Sequence, residues 1–215
     1  MSGLPSLSPA RMGYLCLMRK VIVSMNITLN GFMASADGAL DWHFPFWDGE
    51  MSACISQQLD TADTILLGRR SYQVMADYWP CAARDPLANP TDASIARRMN
   101  SYRKIVFSNT LEQASWQNTR IMGGDIGNKI LALKQQPGAD MIIFGSGSIV
   151  QSFMRQGLID EYMLWVHPVI LQEGMPLFKD IRYNTNLQLL QSKAFSTGVV
   201  ILYYKTRLRV VKSSV

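Results

Sequence analysis

Cysteine and histidine are scarce in this 215-residue chain. Cys16, Cys54 and Cys81 are odd in number and far apart, with no Cys-x-x-Cys pair, and His43 and His167 stand alone. A disulfide framework or a zinc site of ordinary spacing is therefore not expected, and a reducing, cytoplasmic setting is. Long apolar runs are missing too: none approaches the roughly 20 residues of a membrane span. The chain does not open with a basic start, an apolar stretch and a small-residue cleavage site, so residues 1–17 read as a loose extension rather than a signal peptide. A second start at Met18 fits, because the strand pattern begins directly after it.

Charge is also sparse, at 17% of residues. The net charge of +5 tempts a nucleic-acid reading, but Arg11, Arg207, Arg209 and Lys212 lie in the two tails, where no acidic residue does. Setting those four aside leaves 17 of the 21 basic residues against 16 acidic ones. A basic tail is ordinarily a solvated tail, and neither a nucleic-acid nor a membrane partner is expected. The length suits one α/β domain, placed at 18–206, with 207–215 as a basic tail.

What is present is a strand–helix alternation. Lys20 to Met25, Thr64 to Leu67, Ile105 to Phe107, Arg120 to Met122, Met141 to Phe144 and Tyr162 to Val166 read as short strands. Met51, Cys54, Ile55 and Leu59 make a helical stripe. Ser71 to Trp79 reads as a helix ended by Pro80, and 82–91, rich in Pro, Asp and Asn, as loop. Asp125 is a natural N-cap for the next helix. Leu187 to Gln191 and Val199 to Tyr204 read as a hairpin around Ser196, Thr197 and Gly198. Alternating elements imply a mostly parallel sheet covered on both faces, with an antiparallel hairpin at its end.

Ligands of such sheets bind beyond the carboxyl ends of the strands. Four segments fall there: 26–32, 68–72, 108–110 and 145–148. After the strand ending at Phe144, Gly145, Ser146, Gly147 and Ser148 lead into a helix carrying Ile149, Val150, Phe153, Met154 and Leu158. Strand, glycine turn and helix present backbone N–H groups and a positive dipole end to a phosphate. With two glycines the run falls short of a full dinucleotide fingerprint, and an ordinary tight turn explains it equally well. Gly68, Arg69 and Arg70 open another helix at a strand end. Positive charge is unfavourable at a helix N-terminus, so two arginines there point to an anionic ligand.

These residues carry a resemblance. Leu66-Leu67-Gly68-Arg69-Arg70-Ser71-Tyr72 resembles the glycine-arginine motif of dihydrofolate reductases, and Lys104-Ile105-Val106-Phe107-Ser108 the strand that follows it there. Gly157 to Tyr162, His167 to Leu171 and Gly174 to Phe178 resemble the late signature of the reductase domain of riboflavin biosynthesis. The resemblance covers about 18–205. It implies a dihydrofolate-reductase-like three-layer fold, NADPH as cofactor and commonly a homodimer. It implies Gly68, Arg69, Arg70 and Ser108 at the 2′-phosphate side, and Gly145, Ser146, Gly147 and Ser148 at the pyrophosphate. It places 26–32, with Asn26 and Asn30, towards nicotinamide and substrate.

Two departures follow. Members of that family usually carry an acidic residue where this chain has Asn30, and tend to carry Glu where it has Phe144. Asn is not a proton donor of tunable pKa. Asp41 is the substitute expected, beside Trp42 of an aromatic stretch (Trp42, Phe44, Phe46, Trp47) that reads either as a wall for a flat heterocycle or as packing. His167 reads as structural and His43 as a surface residue. Three functions remain: an NADPH-dependent reductase of a small planar N-heterocycle of pteridine or aminopyrimidine type; the authentic riboflavin-pathway reductase, acting on a ribosylamino-pyrimidine phosphate; and a non-catalytic nucleotide-binding protein of the same fold. The His-x-Glu and Pro-Cys-x-x-Cys pattern of a zinc deaminase is absent from these residues.

Overall fold

The computed structural model describes residues 18–181 and 184–207. The expectations for 1–17 and for most of the basic tail lie outside the described residues. The strands are β1 (Val21–Thr28), β2 (Phe32–Ala34), β3 (Ala62–Gly68), β4 (Arg103–Phe107), β5 (Thr119–Met122), β6 (Asp140–Ile143), β7 (Glu161–His167), β8 (Met175–Pro176), β9 (Leu187–Ala194) and β10 (Val200–Thr206). The helices are α1 (Gly49–Asp60), α2 (Arg69–Ala82), α3 (Pro90–Ser101), α4 (Ile126–Lys134) and α5 (Gly147–Arg155), with a 3-10 helix at Asp41–Phe46.

Eight strands form one sheet in the order β5-β4-β3-β6-β1-β7-β10-β9, and β2 pairs with β8 beside it. The six strands from β5 to β7 are mutually parallel. β10 runs antiparallel to β7, and β9 to β10, which is the expected terminal hairpin.

Parallel strands covered on both faces read as continuous apolar runs, with alternate side chains going to opposite layers. β1 shows it. Val21, Val23 and Met25 join Ile130 and Leu133 of α4 and Ile149, Val150 and Phe153 of α5 on one face. Ile22 joins Leu59 of α1, Tyr72 of α2, and Ile95 and Met99 of α3 on the other. The result is helix, sheet, helix. A third cluster, with Met51, Cys54, Trp165 and Phe195, seats α1 against the hairpin.

Two of the boundaries that differ from the sequence expectation turn on prolines. Pro80 lies inside α2, which runs on to Ala82. Near a helix end proline removes one backbone bond and few turns remain to disrupt, so the helix survives it. α3 occupies the end of the segment read as loop. Asn89 caps it by accepting from Asp92 N, and Pro90 stands in its first turn, where a missing N–H costs nothing.

Candidate functional site

Because β1, β3, β4 and β6 are parallel, the four expected segments emerge at one edge of the sheet. The turns after β3 and β6 are neighbours. Gly68 N donates to Gly145 O at 3.2 Å, joining the start of α2 to the approach to α5. The glycines are required by this mutual approach. A Cβ on Gly68 would press into the Ser146 side chain and stand 3.0 Å from Ile149 Cγ1. One on Gly145 would stand 2.6 Å from Ser71 Oγ, at a φ of +131° that disfavours side chains anyway. One on Gly147 would strike the Met33 thioether. The Gly145–Ser146 peptide is cis.

The first N–H groups of a helix have no partner within it. Side chains of Asp48, Asn89 and Asp125 satisfy one in α1, α3 and α4. α2 and α5 have no side-chain cap and no acidic residue in their first turns. Two uncapped helix starts thus lie side by side, with Arg69 and Arg70 exposed in the first turn of α2. Ser146 Oγ and Ser148 Oγ are 2.9 Å apart at the start of α5. The donors and cations present suit a diphosphate-bearing ligand.

Ser108 follows β4, but its Oγ accepts from Thr110 N (3.1 Å) and Leu111 N (2.9 Å), ordering its own turn. The exit of β1 is braced similarly. Asn30 Oδ1 accepts from Thr28 Oγ1 at 2.8 Å, and Asn30 Nδ2 donates to Leu171 O at 2.8 Å. The Asn30 side chain therefore ties the β1 exit to the segment after β7. Phe144, just past β6, packs against the α1–α3 side of the core.

At the β1–β7 end the structure gathers side chains that sequence distance concealed. The parallel register sets Thr28 opposite His167 and Asn26 opposite Trp165. Asn26 Oδ1 lies 3.1 Å from His167 Nε2. The 3-10 helix lays Trp42, His43 and Phe46 on His167, with ring centroids 5.3, 5.8 and 5.8 Å away. His167 is 0% and His43 9% exposed, so neither is a surface residue. Burial is the main cause that lowers both imidazole pKa values, His167 to about 4 with His43 as a smaller cause. Asp41, exposed at the start of the same helix, pulls His43 the other way. The aromatic stretch thus divides: Trp42 and Phe46 pack inward, while Phe44 is 63% exposed.

Among the described residues no group of three or more His, Cys, Asp or Glu is placed to hold a metal. No helix there is long and apolar enough to cross a membrane.

The family model of the RibD C-terminal domain matches residues 19–201. The chain belongs to the RibD C-terminal domain family. YyaP of Bacillus subtilis (strain 168), an uncharacterized protein, is 34% identical over 186 residues, 86% of this chain and 94% of that protein. A candidate riboflavin biosynthesis protein of Shewanella sp. PV-4 superposes with a TM-score of 0.69 at 19% identity, covering 88% of this chain and 99% of its own. A dihydrofolate reductase of Enterococcus faecalis, solved with NADP(H), superposes with a TM-score of 0.57 at 14% identity, covering 87% and 96%. At such identities the likeness is one of fold. This family member has the dihydrofolate-reductase-like architecture that the sequence resemblance implied, and its family supports an oxidoreductase role.

Proposed function

We propose that this protein is an NADPH-dependent reductase of a small planar N-heterocycle, of pteridine or aminopyrimidine type. The observation that carries the reading is the pair of uncapped helix starts joined through Gly68 and Gly145. They share a sheet edge with an aromatic cluster. In this reading Gly145, Ser146, Gly147 and Ser148 hold the pyrophosphate through backbone N–H groups and two hydroxyls. Arg69 and Arg70 grip the 2′-phosphate with forked donors, and Ser108 shapes the turn beside them.

NADPH, when bound, supplies a hydride. The chain's own residues place the acceptor. Asn26 and Trp42 lie where the acceptor ring would rest, and Phe46 keeps that end apolar. Reducing a C=N or C=O bond also takes a proton. Asp41, the carboxylate that acts electrostatically on His43, is assigned to deliver it. Asn30 contributes by holding the β1 exit in shape. The protein acts in the cytoplasm as a homodimer, a state that the resemblance supports and light scattering tests.

The authentic riboflavin-pathway reaction is the second reading, favoured by family membership. Asn30 and Phe144 count against it, since both stand where the resemblance calls for a carboxylate and both are engaged in packing or turn structure.

The test follows the loss of reduced-nicotinamide absorbance with a panel of pterins and aminopyrimidines. Turnover of at least one, reduced about tenfold or more in Asp41→Asn, is expected. Tight NADPH binding with no turnover across the panel overturns the enzyme reading and leaves a nucleotide-binding protein.

A further inference from the structure

Three buried polar atoms without a hydrogen-bond partner fall in one cluster: Trp42 Nε1, His43 Nδ1 and His167 Nδ1. Among the described residues only Gln58 and Thr119 carry another. Leaving a buried donor or acceptor unpaired is unfavourable, so three in one place call for a partner. The rings that bear them are in contact. Trp42 meets His43 and His167 edge to face, at centroid distances of 5.5 and 5.3 Å.

Their hydrogen-bonding roles follow from chemistry. Asn26 Oδ1 can only accept, so His167 Nε2 carries the proton between them. Burial holds His167 neutral at ordinary pH. Its Nδ1 is then a bare acceptor, whereas Trp42 Nε1 is a donor only. An acceptor and a donor sit on adjoining aromatic rings, and neutral imidazole offers no charge to attract an anion.

We propose that Trp42 Nε1, His43 Nδ1 and His167 Nδ1 form a recognition set for a lactam edge, a ring N–H beside a carbonyl, on a planar heterocycle. The ring N–H meets His167 Nδ1, the carbonyl meets Trp42 Nε1, and His43 serves either according to its tautomer. Asn26 is a positioning residue that fixes the His167 tautomer. The proposal rests on the reductase reading for the kind of ligand. All three atoms are closed to water in this structure, and Trp42 and His43 ride on the 3-10 helix, so that helix lifts off His167 to admit the ligand and closes back onto it to complete the set. That helix has no side-chain cap, and Leu40, Phe44 and Trp47 lie exposed on or beside it.

The test uses the full chain, with and without NADPH. Its probes are lumazine, a pteridine-2,4-dione, and 1,3-dimethyllumazine, in which methyl groups replace both lactam hydrogens. Calorimetry should show lumazine binding about tenfold or more tighter. His167→Phe and Trp42→Phe should each shrink that preference below about threefold with NADPH affinity kept. The nitrogen resonance of His167 Nδ1 should move with lumazine and stay with the dimethyl probe. If His167→Phe does not fold, Trp42→Phe and the wild-type comparison decide. Equal affinities, binding of neither probe, or a preference unchanged in the folded variants overturns the proposal. NADPH bound without lumazine preference sinks this proposal alone. Lumazine preference without NADPH binding sinks the reductase reading and leaves the recognition set standing.

Discussion

Gly68 N donates to Gly145 O at 3.2 Å, so two strand-to-helix turns almost eighty residues apart behave as one piece. Everything assigned to the phosphate side hangs on that junction. Gly68→Ala should cost about 1–3 kcal/mol, since its Cβ must push aside Ser146 and Ile149. Melting should fall by roughly 2–4 °C per kcal/mol. Adding Ser146→Gly should restore part of the loss. A double-mutant cycle checks it; strictly additive effects would mean that the turns are independent.

Lys104 is 0% exposed, and its Nζ donates to Met99 O (3.0 Å) and Asn100 O (2.7 Å) at the end of α3. It also lies 4.3 Å from the Trp116 ring centroid. It thus caps carbonyls that nothing in the helix can satisfy. Lys104→Met keeps the volume but takes the side-chain donor from Met99 O, while Asn100 O keeps Gln117 Nε2 and Asn118 Nδ2, at a cost of about 1–3 kcal/mol in denaturant unfolding. Burial holds the Lys104 pKa down to about 8 from 10.5. Between those values the unfolded chain holds more proton than the folded one, so this group's contribution to stability rises with pH across the window. The wild-type-minus-variant difference should show that slope.

His167 gives the acidic counterpart. Its pKa is about 4 when folded, against an ordinary 6.5. Between these the unfolded chain takes up the proton and the folded chain does not. Stability should therefore fall as pH drops from about 6.5 towards 4, and this group's effect should level off below that. His43 is lowered by burial too and adds in the same direction. Unfolding curves of wild type and His167→Phe should differ in slope over this range. Parallel curves would show that His167 titrates normally.

The layering was legible because apolar runs alternate with helical stripes, and strand ends such as Gly68 and Gly145 carry their own punctuation. α3 is hidden because Asn89 and Pro90 fall in the segment 82–91 that reads as loop, although Asn followed by Pro is also how a capped helix begins. The His167 cluster was hidden for a different reason. Asn26 and His167 meet only through the β1–β7 register, and His43 arrives on a 3-10 helix with no strong periodicity. Solitary histidines carry no spacing signal. Nor did the sequence disclose that Asn30 and Ser108 turn their side chains to backbone partners. Such hydrogen bonds depend on loop geometry that composition leaves open.

The central claim is that Arg69 and Arg70 face the 2′-phosphate of a dinucleotide lying across the joined turns. Calorimetric titration of wild type and of the Arg69→Ala, Arg70→Ala double variant with NADPH and NADH tests it most directly. Wild type should prefer NADPH. The double variant should lose about tenfold or more in NADPH affinity while NADH affinity moves by less than about twofold. Equal losses for both cofactors, or no preference in wild type, would contradict the account.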